Sequence, residues 1–317
     1  MTGLAVRVIL LATLTLALTI PAVAGAADPE PSPPAPWEVT LGGRFVYASG
    51  YTTWNTQAPS GSPNVLSELT WRGVDSLVTE IHADAVFRDR LVLQGTLGVG
   101  PIIGGAFLDS DFAGDDRQNR FSHTRSDVTG ETLIYSNLDV GFRLVSWTQP
   151  HSPVLGYLQA FTGYQFWIEY YEASGANGTL SIPDDVVVVE ETFTFQSIRL
   201  GAEAKVPLYK GLALRLRGVY LPWTRSDLRD NHPLRGDLQQ NPSFKAKAEG
   251  GMGYQLEGAV LYDLGNRFSV EAGFRYWKIN SGDGTLTART TSGDSKSKLN
   301  EILIERYGPW AGLSYRF

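Results

Sequence analysis

The chain has 317 residues, with 27 Lys and Arg against 33 Asp and Glu, a formal net charge of −6 and no cysteine. Disulfide bonds and thiolate chemistry are therefore closed to it, and the acidic balance gives no support to nucleic-acid binding. Its 14 Tyr, 14 Phe and 8 Trp favour β structure. A mean hydropathy of −0.13 is what results when polar inward residues cancel apolar outward ones.

Arg7 opens a short positive segment, Val8 to Ile20 is apolar, and Ala22, Ala24 and Ala26 offer two A-x-A cleavage sites. This reads as a signal peptide over 1–26. A membrane-spanning helix would need about 20 apolar residues, and this run stops at Pro21. Residues 27–36, with the stretch DPEPSPPAP, form a proline-rich leader. The folded part is expected over 37–317.

There, segments of period two recur near 37–53, 66–87, 91–109, 131–147, 153–172, 189–208, 212–226, 251–264, 267–283 and 300–317. Connections alternate. Those at 88–90, 148–152, 209–211 and 264–266 are tight, whereas 54–65, 110–130, 173–188, 227–250 and 284–299 are long and rich in Gly, Ser, Asp and Asn. The pattern predicts an all-β, ten-stranded antiparallel transmembrane β-barrel with long extracellular loops, in the outer membrane of a Gram-negative bacterium. Several segments exceed the 9–11 residues or so that a crossing needs, so the barrel should stand above the bilayer. The last segment alternates and ends in Phe317, an ending that resembles the C-terminal signal of such barrels. A soluble lipocalin-like barrel is the competing architecture.

Four residues can carry chemistry together. Asp109 and Asp111 lie where the third strand meets its long connection, and Asp230 and His232 lie just past the seventh. In extended backbone, residues two apart point the same way, so each pair presents two side chains to one side. A carboxylate orients an imidazole and stabilises its charged form, and two close carboxylates resist double ionisation. Facing each other, the pairs could activate a water. From spacing alone, solvated loops or an incidental cation site remain open.

At these residues the chain resembles the omptins, ten-stranded outer-membrane endopeptidases active at the cell surface. The resemblance runs from about residue 40 to the C-terminus. It is carried by Ser67 to Trp71, Asp109 and Asp111, Leu133 to Tyr135 with Asn137, Gly163 to Gln165, Asp230 to His232, and Ala311 to Phe317. It implies that Asp109 and Asp111 hold the water, His232 is the general base and Asp230 orients it. Polypeptides would be the substrates. The positions matching the family's two substrate-binding acids are Trp54 and Leu228, which puts the usual basic preference in doubt. At the family's lipopolysaccharide site Tyr164 matches, while the acidic and basic partners correspond to Phe166 and Ile168. The resemblance implies outer-membrane lipids and lipopolysaccharide as partners, with lipopolysaccharide a candidate requirement for activity at a site only partly kept. No metal site, cofactor or nucleic-acid partner is expected, and the barrel should be monomeric.

Simple alternation conflicts with this site. Leu91, Leu93, Leu97 and Val99 share parity with Asp109 and Asp111, as Leu214 and Leu216 do with Asp230 and His232. Each strand must therefore shift phase by one residue, and Pro101 and Pro222 lie in the required intervals. Arg143, Arg199, Arg215, Arg217 and Arg275 should face the lumen and pair with Asp139, Glu203, Glu257 and Glu271. Trp147 and Tyr157 are expected in an interfacial girdle. A silent barrel serving as adhesin or scaffold, and a small-solute channel, are the alternative functions.

Overall fold

The computed structural model describes residues 36–317; the expected signal peptide, and the leader up to residue 35, fall outside them. The strands are β1 (Trp37–Thr56), β2 (Ser67–Phe87), β3 (Leu91–Gly114), β4 (Gln118–Gln149), β5 (Ser152–Gly178) and β6 (Ile182–Pro207). They continue as β7 (Leu212–Asn231), β8 (Phe244–Gly265), β9 (Phe268–Asn280), β10 (Gly284–Thr290) and β11 (Gly293–Arg316). Each strand pairs antiparallel with its neighbours, and β1 pairs with β11 from Thr40↔Arg316 to Thr56↔Leu299, closing the ring. Closure leaves no edge, so every strand finds backbone partners without water.

Eleven strands make a ten-position ring. β9 and β10 both lie between β8 and β11, with β9 at Gly253↔Ile279 and Leu303↔Asn280 and β10 at Gly284↔Ala248 and Gly284↔Leu299. They are one strand interrupted at residues 281–283.

The tight turns fall where the sequence places them, at positions that take left-handed backbone such as Arg88, Asp89, Lys210, Gly211, Gly265 and Asn266. At the opposite end, three of the long connections are themselves strand. β3 and β4 meet over residues 115–117, β5 and β6 over 179–181, and β10 and β11 over 291–292. Only 57–66 and 232–243 are largely irregular. These hairpins rise beyond the apolar belt and bury only scattered side chains such as Phe112, Ala176 and Leu286, so they carry no sustained apolar alternation by which to be read.

Outward-facing apolar side chains occur on every position of the ring, among them Phe45, Ile81, Leu138, Leu200, Leu256 and Phe274. They form a belt nearer the tight turns. Inside the belt, the lumen is crossed by ion pairs. Glu80 lies 2.8 Å from Arg44 and 2.6 Å from Arg275, Arg44 reaches Glu271 at 2.7 Å, and Arg199 reaches Asp139 at 2.8 Å. Arg215 joins Glu257 and Glu271, and Arg217 joins Asp139 and Glu203. Arg143 differs from expectation: it pairs with Asp89 in the β2–β3 turn. Tyr157 is also inward, sharing parity with Gln159 and Phe161 and donating to Glu203 at 2.6 Å. Its place in a girdle is thereby corrected.

Aromatic rings fill the next level. Tyr135 stacks on Trp167 at 5.3 Å and donates its hydroxyl to Glu80 at 2.7 Å, while Trp277 meets Trp167 edge-on at 5.5 Å. Glu80 thus joins two guanidinium groups and a phenol. Removing a partner from a buried ion cluster leaves uncompensated charge, at a cost of about 3–5 kcal/mol. Glu80→Ala is expected to lose stability of that order, read as the denaturant midpoint of the refolded barrel in detergent. An unchanged midpoint would contradict this account of the lumen.

Candidate active site

Two strands change phase as they leave the belt. Along β3, Val92, Gln94, Gly98, Gly100 and Ile102 are buried; beyond them Phe107 and Asp109 Oδ1 are buried on the odd parity, until a second slip after Asp111 returns Phe112 to the interior. The break lies at Ile103 to Gly105, where Gly105 has φ +146° and the pairing with β2 slips around Asp75. This is two residues beyond Pro101. Along β7, Ala213, Val219 and Leu221 are buried, then Thr224, Ser226, Leu228 and Asp230. Here the break is at Pro222, and the register slips against both β6 and β8. Proline lacks an amide donor, so it belongs where a ladder is interrupted. Both breaks turn residues of the lipid-facing parity inward.

Asp109 pairs in register with Leu69 of β2 and Thr124 of β4, and Asp111 with Ser67 and Ser122. Asp230 is wholly buried and pairs with Glu191 of β6 and Phe244 of β8. His232 follows the end of β7. Its backbone N–H donates to Ser243 Oγ at 3.1 Å, and its ring meets Phe244 edge-on at 5.5 Å. Asn231 brackets the loop behind it, donating to Glu190 at 2.8 Å and accepting from the Asn241 backbone at 2.9 Å. The imidazole Nε2 lies 3.0 Å from Asp230 Oδ2. With the proton on Nε2, Nδ1 carries the free lone pair.

The two pairs act on each other electrostatically. Burial first, then the charge of Asp111, pushes the Asp109 carboxyl up to about 7, with His232 pulling against them and Asp230 adding to them. Burial opposes charging of His232, yet the charge and hydrogen bond of Asp230, reinforced by Asp109, raise it above the ordinary imidazole value. Asp109 Oδ1 and Asp230 Oδ1 are buried without a protein hydrogen-bond partner.

Beneath this rim lies an apolar floor containing Trp54, Leu69, Trp71, Phe107, Phe193 and Leu228. Trp54 and Leu228 are only 2% and 1% exposed. Trp54 directs its indole N–H to Glu191 Oε1 at 3.0 Å, and Trp71 directs its own to Glu191 Oε2 at 2.5 Å. Tyr164 lies elsewhere, on the outer wall, half exposed and donating to Gln196 at 2.7 Å. Sequence reasoning passed over Glu191. Its one legible signal is the parity it shares with the inward Phe193, Phe195 and Ser197.

Residues 45–317 match the model of the family described as Pom, Protochlamydia outer membrane protein. No curated protein matches the chain. Among solved structures, the fold is similar to the outer membrane protease OmpT of Escherichia coli, with TM-score 0.72 and 15% identity over 88% of this chain and 97% of that one. A FadL homologue of Pseudomonas aeruginosa aligns over 88% of this chain and 90% of its own at 7% identity, with a TM-score of 0.27. The protein is an outer-membrane β-barrel with an omptin-like fold.

The Asp109 carboxyl has a pH consequence. Its raised folded value means that the folded barrel binds a proton that the unfolded chain releases, between 3.8 and about 7. The stability this contributes is complete below 3.8 and is lost as pH rises through about 7. Asp109→Asn, neutral throughout, should match the wild type near the lower limit. At pH 8 it should be more stable by on the order of 1–3 kcal/mol. Unfolding curves at the two pH values test this, and an equal difference at both would refute it.

Proposed function

The chain belongs to the Protochlamydia outer membrane protein family, and from that premise and the geometry of the rim we propose that it is a surface endopeptidase of the aspartic, omptin-like kind. It hydrolyses peptide bonds with a water activated by Asp109, Asp111, Asp230 and His232. One observation carries the reading: Asp109 of β3, its Oδ1 buried without a protein partner, lies within electrostatic reach of the hydrogen-bonded Asp230–His232 pair of β7. Both pairs turn toward the lumen because both strands change phase, and a water-activating site needs that set of residue types.

In this reading the rim opposite the tight turns faces the cell exterior. Asp109 and Asp111 hold the water and polarise it. His232 Nδ1 takes its proton as the oxygen attacks the peptide carbonyl, and Asp230 steadies the imidazolium through Nε2. The proton then passes from His232 to the leaving amine as the C–N bond breaks. Trp54 and Leu228 floor the substrate cleft. Being apolar and closed, that floor offers a basic side chain no carboxylate at those two positions, so cleavage sites should show no enrichment of Lys or Arg. Lipopolysaccharide is the proposed lipid partner, met on the outer wall near Tyr164. The ion pairs and stacked rings that cross the lumen leave the channel reading unsupported.

The test is a peptide library offered to the monomeric barrel refolded with and without lipopolysaccharide. Asp109→Ala and His232→Ala should each lower kcat/KM by about 10²- to 10⁴-fold, the range for a general base and its partners. Because His232 must be neutral to accept a proton, the rate should rise with pH through a midpoint above the ordinary imidazole value. Asp230→Asn removes the charge that raises this midpoint, so the acid limb should move to lower pH. No cleavage of any peptide by the wild type would favour the silent barrel.

A further inference from the structure

We propose that Glu191 is a positioning residue of this site, a carboxylic acid whose O–H donates to Asp230 Oδ1 and so fixes the face that Asp230 turns to His232. For its effect on catalysis the inference rests on the endopeptidase reading; the hydrogen bond itself does not.

Glu191 and Asp230 are direct register partners on β6 and β7, and both point into the lumen. Opposed residues on one face of a sheet have their Cβ atoms about 4.5–5.5 Å apart, so the two carboxyl groups are neighbours. Asp230 is wholly buried, with Oδ2 committed to His232 and Oδ1 lacking any protein partner. A buried carboxylate oxygen without a donor is strongly unfavourable. Of its two cross-strand register partners, Glu191 and Phe244, only the Glu191 carboxyl, once protonated, can supply a donor.

The surroundings of Glu191 favour that proton. Trp54 from β1 and Trp71 from β2 hold one carboxyl oxygen each, and Tyr171 of β5 is its other register partner. Trp71 is itself clamped by stacking on Tyr171 at 4.4 Å. The indoles locate the carboxyl but leave its own proton free to point at β7. No Lys or Arg forms an ion pair with Glu191 or Asp230 among the described residues. The charged groups acting on Glu191 are instead the carboxylates of Asp230 and Asp109, with His232 beyond them. Burial, and next the charge of Asp230, push Glu191 well above the usual carboxylate range against the pull of the two indoles. Two facing buried carboxylates do not both ionise. Since Asp230 serves the imidazole, the proton resides on Glu191.

Three measurements decide the matter. In the refolded wild type, the infrared spectrum should contain a protonated carboxyl band that disappears in Glu191→Gln; its absence from the wild type overturns the proposal. Histidine-labelled NMR gives the titration midpoint of His232 without any need for activity. Gln is neutral and keeps an N–H donor, so Glu191→Gln should move this midpoint by less than about 0.5 unit. A fall of about one unit or more, roughly tenfold in the protonation equilibrium, would mean that Glu191 was an anion. A rise of that size would mean that Asp230 had held the proton, and either result overturns the proposal.

On a cleaved peptide, Glu191→Leu should lower kcat by about 10- to 100-fold, the effect of losing a charge-assisted hydrogen bond. KM should stay unchanged, and Gln should restore most of the loss. Equal rates for the Leu and wild-type proteins would refute the positioning role. Should the wild type cleave nothing, the endopeptidase reading fails while the infrared and NMR results still decide the bond.

Discussion

Every side chain in a closed sheet faces either the lumen or the outer wall, and successive residues face opposite ways. A strand that offers its odd residues to lipid cannot offer odd residues to the lumen unless its alternation is broken. β3 breaks it at Ile103 to Gly105 and β7 at Pro222. Leu93 and Leu216 remain on the lipid face, while Asp109 and Asp230 turn inward at the rim. Both breaks are needed for the Asp109–Asp111 pair and the Asp230–His232 pair to turn toward the same lumen. The candidate site is therefore a property of two interruptions as much as of four side chains.

The lumen is graded in its electrostatics. In the belt, each buried acid has a guanidinium beside it, as Glu80 has Arg44 and Arg275. Such pairing holds the charges in a medium where isolated ones would be costly. Above the aromatic level, no guanidinium forms an ion pair with Asp109, Asp230 or Glu191 among the described residues. Asp109, Asp230 and Glu191 crowd together with His232 as their basic neighbour, and the excess negative charge is met by retaining protons. The same residue types thus give rigid scaffolding at one height and titratable groups at another. What separates them is the supply of arginine.

Much of this was legible in the sequence. The tight turns were readable because left-handed positions such as Lys210, Gly211 and Asn266 are local choices made by the backbone. The belt was readable because lipid imposes a period of two. The hairpins at 115–117, 179–181 and 291–292 were not, since strands beyond the belt bury only scattered side chains and display no sustained apolar period. Asp109, Asp111, Asp230 and His232 were legible as pairs, and parity required the phase breaks; Pro222 marked one site, whereas Pro101 missed the other by two residues. Glu191 stayed hidden. Beside Glu190 it looks like an ordinary solvated acid, and its partners Trp54 and Trp71 stand 137 and 120 residues away in the chain.

The ion pairs of the belt also bear on how the barrel is made. Arg44 meets Glu271 across 227 residues of sequence, and Glu80 meets Arg275 across 195. A growing chain that holds β1 and β2 but lacks β9 therefore carries Arg44 and Glu80 with half of their partners missing. Such a chain is poorly suited to hydrocarbon, and contacts this distant form late because long loops must close first. Assembly is thus biased toward a single closing event, in which β9 and β11 arrive, the interior charges are neutralised and the membrane becomes a tolerable solvent together.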